Sequence, residues 1–476
     1  MSEPTQPAIS MSARLMRTLT TRRLAVVGGA ALTILAGMQP VSAQTLTEAL
    51  AYTYNTNPQL LAQRALLRQT DEGVPQALSN WRPTVTFTGE AGINRGSINE
   101  GAGDVFSTFK TRELNLQVTQ PLYRGGRTEA QTRQAINLVQ SARAQTLAVE
   151  TTVFQAVAQA FFDTYRDQAL VEVNRNNEAV LKKQLDATRD RFRVGEVTRT
   201  DVAQAEASLA QAVGQLVTAQ GNLEISRAEY VRAVGHRPGT LMLPRDRPAL
   251  PATQEETVSL AGNNNFNVVS AIFAELAARD NIDFVRGQLL PQISVVGSLS
   301  RSADQSPNFK GILTNSAQIA AQLTMPLYEG GAIYSQTRQA QQTVGQRRSQ
   351  VDDARRASVQ TATQNWSTLQ AARASISSFA QAVRAAQIAL EGTQQEALVG
   401  TRTVLDVLIQ NQTLLTTQSQ LITAEHDAAL AEFNVAAATG RLIAAELKLP
   451  VKLYDMERHY KQVKDKWIGF RGGLSE

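Results

Sequence analysis

The sequence predicts a membrane α+β protein: a tandem-duplicated chain with two amphipathic β-strands and one very long α-helical hairpin in each copy. Three observations carry this prediction. Matching segments recur at a constant offset of 205 residues. Four stretches alternate between apolar and polar side chains, the period of a strand with two unlike faces. Runs without glycine or proline far exceed the usual helix of about 8–20 residues.

The duplication is read from paired segments. Gln120-Pro121-Leu122-Tyr123-Arg124-Gly125-Gly126 returns as Met325-Pro326-Leu327-Tyr328-Glu329-Gly330-Gly331. Gln131-Thr132-Arg133-Gln134-Ala135 returns as Gln336-Thr337-Arg338-Gln339-Ala340. Val194-Gly195 and Asp201-Val202 return as Val399-Gly400 and Asp406-Val407. Upstream, Pro83 and Gly89 match Pro291 and Gly297 at offset 208, so three residues slip within the loops near 96–110 and 303–315. Variable length marks those loops as surface. The expected organisation is repeat 1 over 44–235, a linker over 236–262 carrying Pro238, Pro244, Pro248 and Pro251, repeat 2 over 263–446, and a tail over 447–476.

The first 43 residues read as an export signal. Arg14, Arg17, Arg22 and Arg23 form a basic start, Leu24–Ala36 is apolar but too short to span a bilayer, and Val41-Ser42-Ala43 suits cleavage. The Arg22-Arg23 pair fits the twin-arginine route poorly, so ordinary secretion is expected, with the mature chain starting at Gln44. Cleavage removes four Arg and one Glu, so the formal charge drops from +5 to +2. A polyanionic partner such as nucleic acid is not implied. With no Cys in the chain, disulfides, thiolate metal sites and a lipidated N-terminal Cys are excluded. No later stretch approaches the ~18 apolar residues of a membrane helix, so any membrane entry must use β-strands.

The strands are expected at about 83–95, 112–123, 291–301 and 316–328. In the first, Val85, Phe87, Gly89, Ala91 and Ile93 alternate with Thr84, Thr86, Thr88 and Glu90. In the second, Leu114, Leu116 and Val118 alternate with Glu113, Asn115, Gln117 and Thr119. Ile293, Val295 and Leu299, then Ala317, Ile319, Ala321 and Leu323, repeat the pattern. A half-buried soluble sheet shows the same alternation. Lengths of ~9–11 residues and aromatic residues Trp81, Tyr123 and Tyr328 at the strand ends favour a bilayer crossing. Four strands cannot close a barrel, whereas three chains supply twelve.

Helices are expected at about 127–193, 200–234, 332–397 and 403–440, with further helical runs over 46–72 and 346–391. At ~1.5 Å per residue the longest reaches about 100 Å. Gly195 and Gly400 suit left-handed helix ends, and Thr200 and Thr403 suit N-caps of the returning helices. Many apolar residues are small, as close helix packing requires.

The paired Pro-Leu-Tyr-x-Gly-Gly segments and Val399-Gly400-Thr401-Arg402-Thr403-Val404-Leu405-Asp406-Val407-Leu408, with its counterpart at Val194–Val202, resemble the TolC family of outer-membrane efflux and secretion channels. The resemblance spans nearly the whole mature chain. It implies a homotrimer with a 12-stranded β-barrel continuous with a periplasmic α-helical barrel, docking to an inner-membrane ABC or proton-driven transporter and a periplasmic membrane-fusion adaptor. It also implies an electrostatic gate at the helix tips, with Arg402 facing Thr200 and Asp201, and Asp406 forming an acidic ring. Two positions depart from the pattern: Ile409 replaces a second acidic residue, and Ala397 replaces an aromatic one. Pro121, Tyr123, Gly125, Pro326, Tyr328 and Gly330 match the strand–helix junctions.

His236, His426 and His459 are isolated in sequence and read as surface or interface residues. No metalloprotease, nucleophile-elbow or phosphate-loop motif is present, so no catalytic, metal or cofactor site is expected. The competing reading is a periplasmic coiled-coil adaptor or envelope structural protein, which has no need of four amphipathic strands. Within the channel reading, the missing lipidation Cys and a tail rich in Lys and aromatic residues at 448–470 favour the type I secretion branch by resemblance.

Overall fold

The computed structural model describes residues 44–99, 104–242, 247–306, 309–470; the expected signal segment, 1–43, lies outside them. Three helices open the described chain: α1 (Leu46–Thr56), α2 (Pro58–Asp71) and α3 (Gly73–Ser79). The helical run expected over 46–72 is broken at Asn57. Its side chain caps α2 by accepting from the Gln59 and Leu60 N–H groups, and Pro58 takes the first helical position, where its missing donor costs nothing.

Strands β1 (Thr84–Asn99) and β2 (Asp104–Arg124) form the first hairpin, and β3 (Gln292–Ser306) and β4 (Phe309–Thr324) the second. All neighbours are antiparallel, in the order β1-β2-β3-β4. The register gathers like with like. Phe87 pairs with Leu116, Leu116 with Leu299 and Leu299 with Ala317. One position along, Thr86, Gln117, Ser298 and Gln318 align across the same four strands. One face is therefore an apolar stripe and the other carries amides and hydroxyls. On the apolar face Val85, Phe87, Leu299, Ile319 and Leu323 are exposed.

Both hairpins extend further than the alternation indicates. Past Ile93 the chain reads Asn94-Arg95-Gly96-Ser97, so the apolar–polar period ends while the backbone ladder continues. At the other end β4 stops at Thr324, four residues short of the expected boundary. Pro326 has no N–H to donate, and β3 offers no partner beyond Gln292.

Helices α4 (Arg127–Arg193) and α8 (Ala332–Leu398) are 67 residues each, ~100 Å at the α-helical rise. They return through α5 (Arg199–Val234) and α9 (Val404–Ala438). Helix α6 (Gln254–Asn264) occupies the end of the expected linker, which the Pro cluster before it had suggested would extend to 262. Thr253 caps it, with Glu255 and Glu256 in its first turn. Helix α7 (Phe266–Arg286) packs between α4 and α8.

The main core sits part-way down the helices, where Phe154, Phe161 and Phe162 of α4 meet Leu46, Tyr54 and Leu60, Tyr230 of α5, Phe433 of α9, and Leu442 and Leu449. Those last two belong to a tail that begins when Gly440, at φ +73°, closes α9. The tail runs back along α4 and α2. Ala444 N–H donates to buried Glu150 at 2.7 Å, and Tyr454 N–H to the Tyr54 hydroxyl at 2.9 Å. The Arg64 guanidinium lies between the rings of Tyr54 and Tyr454, 4.4 and 5.0 Å from their centroids. The short helix α10 (Arg458–Val463) sets His459 Nδ1 3.0 Å from Asp71.

Candidate gate at the helix tips and strand–helix junctions

The two tips are built alike. Arg193 ends α4, and Gly195 (φ +82°) lets its own N–H reach the Phe192 carbonyl and the Glu196 N–H reach that of Arg191. Leu398 ends α8, and Gly400 (φ +80°) supports the same two bonds, from Gly400 to Ala397 and from Thr401 to Glu396. This paired closure with a left-handed residue satisfies carbonyls the helix leaves open.

The returning helices start on capping boxes. Thr403 Oγ1 accepts from the Asp406 N–H at 3.2 Å, while Asp406 Oδ2 accepts from the Thr403 N–H at 2.9 Å and its hydroxyl at 2.8 Å. In repeat 1 the same box joins Asp201 to Thr198. The expected cap, Thr200, instead stands exposed inside the first turn of α5. The 205-residue offset from Thr403 lands on Thr198, so the repeat itself held the correct assignment. Hydrogen bonds from the Thr198 backbone and hydroxyl hold the Asp201 carboxyl below its usual pKa. Those from Thr403 do the same for Asp406, aided by the Arg402 charge. Both carboxylates are charged at neutral pH.

Within one chain, Arg402 does not pair with Asp201. Its Nε donates to Glu396 Oε2 at 2.9 Å, both side chains being about half exposed. Glu396 escaped the sequence reading, although it lies one turn before Gly400. Of the two departing positions, Ala397 is buried against Leu390 and Val407, and Ile409 is exposed. Behind the tips, Leu181 of α4 and Ala212 of α5 pack on Val404 and Leu408 of α9. Further up, Asn411 donates to Asn177 at 2.5 Å in a buried amide pair joining the two hairpins.

The junctions are sequence twins with different surroundings. At Pro121 the β2–β3 register shifts, and pairing resumes at Tyr123 with Ile293. Gly125 (φ +63°) then touches the end of α7: a Cβ there would collide with the Gly287 carbonyl and come within 2.8 Å of Leu290 Cβ. Pro326 and Tyr328 lie outside β4, and a Cβ added at Gly330 would meet nothing within 4 Å. Tyr328 is accordingly 86% exposed and Tyr123 39%.

Of the histidines expected at a surface or an interface, His426 is buried and His459 half-buried. His426 has its Nδ1 2.9 Å from Asp427 and its Nε2 2.9 Å from Asp163, which also accepts from Arg166. Burial disfavours the imidazolium, yet the bonds to Asp163 and Asp427 outweigh it and the pKa is raised. Asp167, beside this group, bonds Arg166 and the Ser226 hydroxyl. His459 is packed against buried Asp71. A lone His in a long helix gives no sign of a carboxylate one helix away, so sequence spacing had nothing to show. Among the described residues no group of three or more acidic or His side chains is placed to hold a metal ion.

The sequence matches the family model described as outer membrane efflux protein over residues 52–236 and 257–441, one segment in each repeat. It is 36% identical over 449 residues to the outer membrane efflux protein BepC of Brucella suis, covering 92% of this chain and 94% of that protein. It is 28% identical to the outer membrane protein TolC of Vibrio cholerae, covering 86% and 94%. The crystal structure of the outer membrane protein VceC from Vibrio cholerae shares the fold, with a TM-score of 0.70 at 20% identity over 83% of this chain and 96% of that one. With one matched segment in each repeat, and long helices joined to an amphipathic four-stranded sheet, this chain belongs to the outer membrane efflux protein family, TolC-like outer-membrane channels whose work is transport and not catalysis.

Proposed function

We propose that three copies of this chain form the exit duct of an export system, receiving cargo from an inner-membrane transporter through a periplasmic adaptor. The carrying observation is the sheet: one continuous apolar face, one polar face, and outer edges on β1 and β4 without a partner strand among the described residues. Backbone groups bared to lipid cost several kcal/mol each, so the edges must meet. Three sheets give twelve strands, with Thr, Gln and Ser rows facing the lumen. The helical hairpins then continue the wall into the periplasm.

Efflux of small molecules is the reading we adopt for the cargo. BepC, similar over nearly its whole length, carries efflux in its name. The tail that favours type I secretion by resemblance has structural work of its own against α1, α2 and α4. At the tips, Asp406 from three subunits would concentrate negative potential on the axis. Arg402 would exchange between Glu396 of its own hairpin and Asp201 of a neighbour, with Thr200 beside it.

Envelope fractionation tests the duct: a heat-modifiable trimer in the outer membrane is expected, and a soluble periplasmic monomer would refute it. Deleting the protein and comparing drug sensitivity with the secreted proteins tests the cargo. Sensitisation with an unchanged set of secreted proteins is expected; loss of a secreted protein without sensitisation would reassign the duct to type I secretion.

A further inference from the structure

The described tail, through Phe470, reaches the foot of the sheet. Its contacts climb in order: Ala444 on Glu150, Glu457 and Tyr460 on Arg143, and Lys466 and Trp467 on Arg82. Along α4, Glu150 stands 23 residues from the strand junction at Arg127, ~35 Å at the helical rise. Arg82 lies two residues before β1. The tail therefore travels from the mid-helix core back to the level at which the strands begin.

What arrives there is aromatic, apolar and uncovered. Trp467 is 66% exposed, Ile468 90%, and Phe470 wholly exposed. The segment is nevertheless held. Arg82 Nη1 donates to the Lys466 carbonyl at 2.6 Å, and its guanidinium sits 4.9 Å from the Trp467 ring centroid. The basic residues Lys461, Lys464 and Lys466 precede it. Val85 and Phe87, three and five residues after Arg82, begin the apolar face of the sheet.

The geometry points to a lipid anchor: Trp467, Ile468 and Phe470 enter the headgroup region of the periplasmic leaflet around the barrel, with the basic stretch at phosphate level. Trp is favoured at this depth because its ring is apolar and its N–H polar, and Lys suits the anionic surface. The inference rests on the barrel reading above. A second copy of the chain is the other occupant to weigh. A second copy is told from lipid by the acrylamide arm of the test below.

The chain has three Trp residues, Trp81, Trp366 and Trp467. A variant keeping only Trp467 (Trp81→Phe, Trp366→Phe) is reconstituted in phosphatidylethanolamine–phosphatidylglycerol vesicles carrying bromine at chosen acyl positions. A reference variant removes all three and adds Phe87→Trp on the apolar face. The reference should be quenched best by deep bromines. Trp467 should be blue-shifted and lose the larger part of its emission to shallow bromines. A quenched reference with an unquenched Trp467 overturns the anchor; if Trp467 is then also shielded from acrylamide, a second copy covers it. An unquenched reference overturns the barrel, and the anchor with it. A chain bearing Trp467→Ser, Ile468→Ser and Phe470→Ser guards against misfolding of the Trp variants. It should still form trimers and should lose the Trp467 share of the shallow-quenched native emission, leaving only that of the other two Trp residues; no loss overturns the anchor.

Discussion

Arg402 stands at the tip with Glu396 as its partner within one chain. The turn motif identifies Arg402 as a charged tip residue, but in the folded chain Glu396 holds it. If that group is a gate, Arg402→Ala frees the tip, and bilayer recordings of the purified trimer should show higher conductance; an unchanged trace removes the assignment. His426 gives a test through pH. Its folded pKa is raised, so its contribution is fully present below the unfolded value of about 6.5 and is lost as pH rises through the folded value. The thermal midpoint of the native protein should therefore fall, relative to His426→Gln, on going from pH 6 to pH 8.5. Parallel curves for the two proteins would mean that Asp163 and Asp427 do not hold a charged imidazole. Neither Glu396 nor Asp163 was visible beforehand, since each meets its partner across a turn or between helices.

Among the elements, the twin junctions separate local geometry from environment. Gly125 and Gly330 share a φ near +63°, so alanine is strained at both by roughly 1–2 kcal/mol. Only Gly125 also abuts the Gly287 carbonyl. Gly125→Ala should lower the thermal midpoint of the unassembled chain clearly more than Gly330→Ala, and equal losses there would contradict the packing described. The helix tips are the opposite case: both close on a left-handed glycine and restart on a Thr–Asp capping box. Removing the Thr198 or Thr403 cap with Ala should each cost ~1 kcal/mol of local stability, read as faster amide exchange in the first turn of α5 or α9. The glycines and Asp residues are legible from helix-end chemistry, and the 205-residue repeat points from Thr403 to Thr198, the cap the structure uses in place of Thr200.

Over the whole molecule the duplication becomes a ruler. Adding 208 to a β1 position and 205 to its β2 partner turns Thr84↔Thr119 into Gln292↔Thr324, the pair present in the second hairpin. The same shift applied to the β2–β3 pair Gln117↔Ser298 places Gln322 of one subunit opposite Glu90 of the next. Opposed residues of antiparallel strands lie about 4.5–5.5 Å apart at Cα, within disulfide reach. In a chain without native Cys, Glu90→Cys with Gln322→Cys should oxidise to a covalently linked trimer, while neither single variant should. Linkage only at a shifted pair would show that the subunit seam does not copy the internal one.

The amino-acid sequence by itself determined the duplication, the two-faced strands and the positions where the long helices begin and end. Each of these depends on neighbours in the chain: side-chain alternation, the absence of Gly and Pro, a left-handed glycine, a capping hydroxyl. Only the tertiary structure decided which carboxylate holds Arg402, how His426 is buried, why one Pro-Leu-Tyr junction is covered and its twin bare, and where the tail comes to rest. Those outcomes depend on residues brought together from distant parts of the chain, and a periodic pattern records the face a side chain takes but not the partner that meets it.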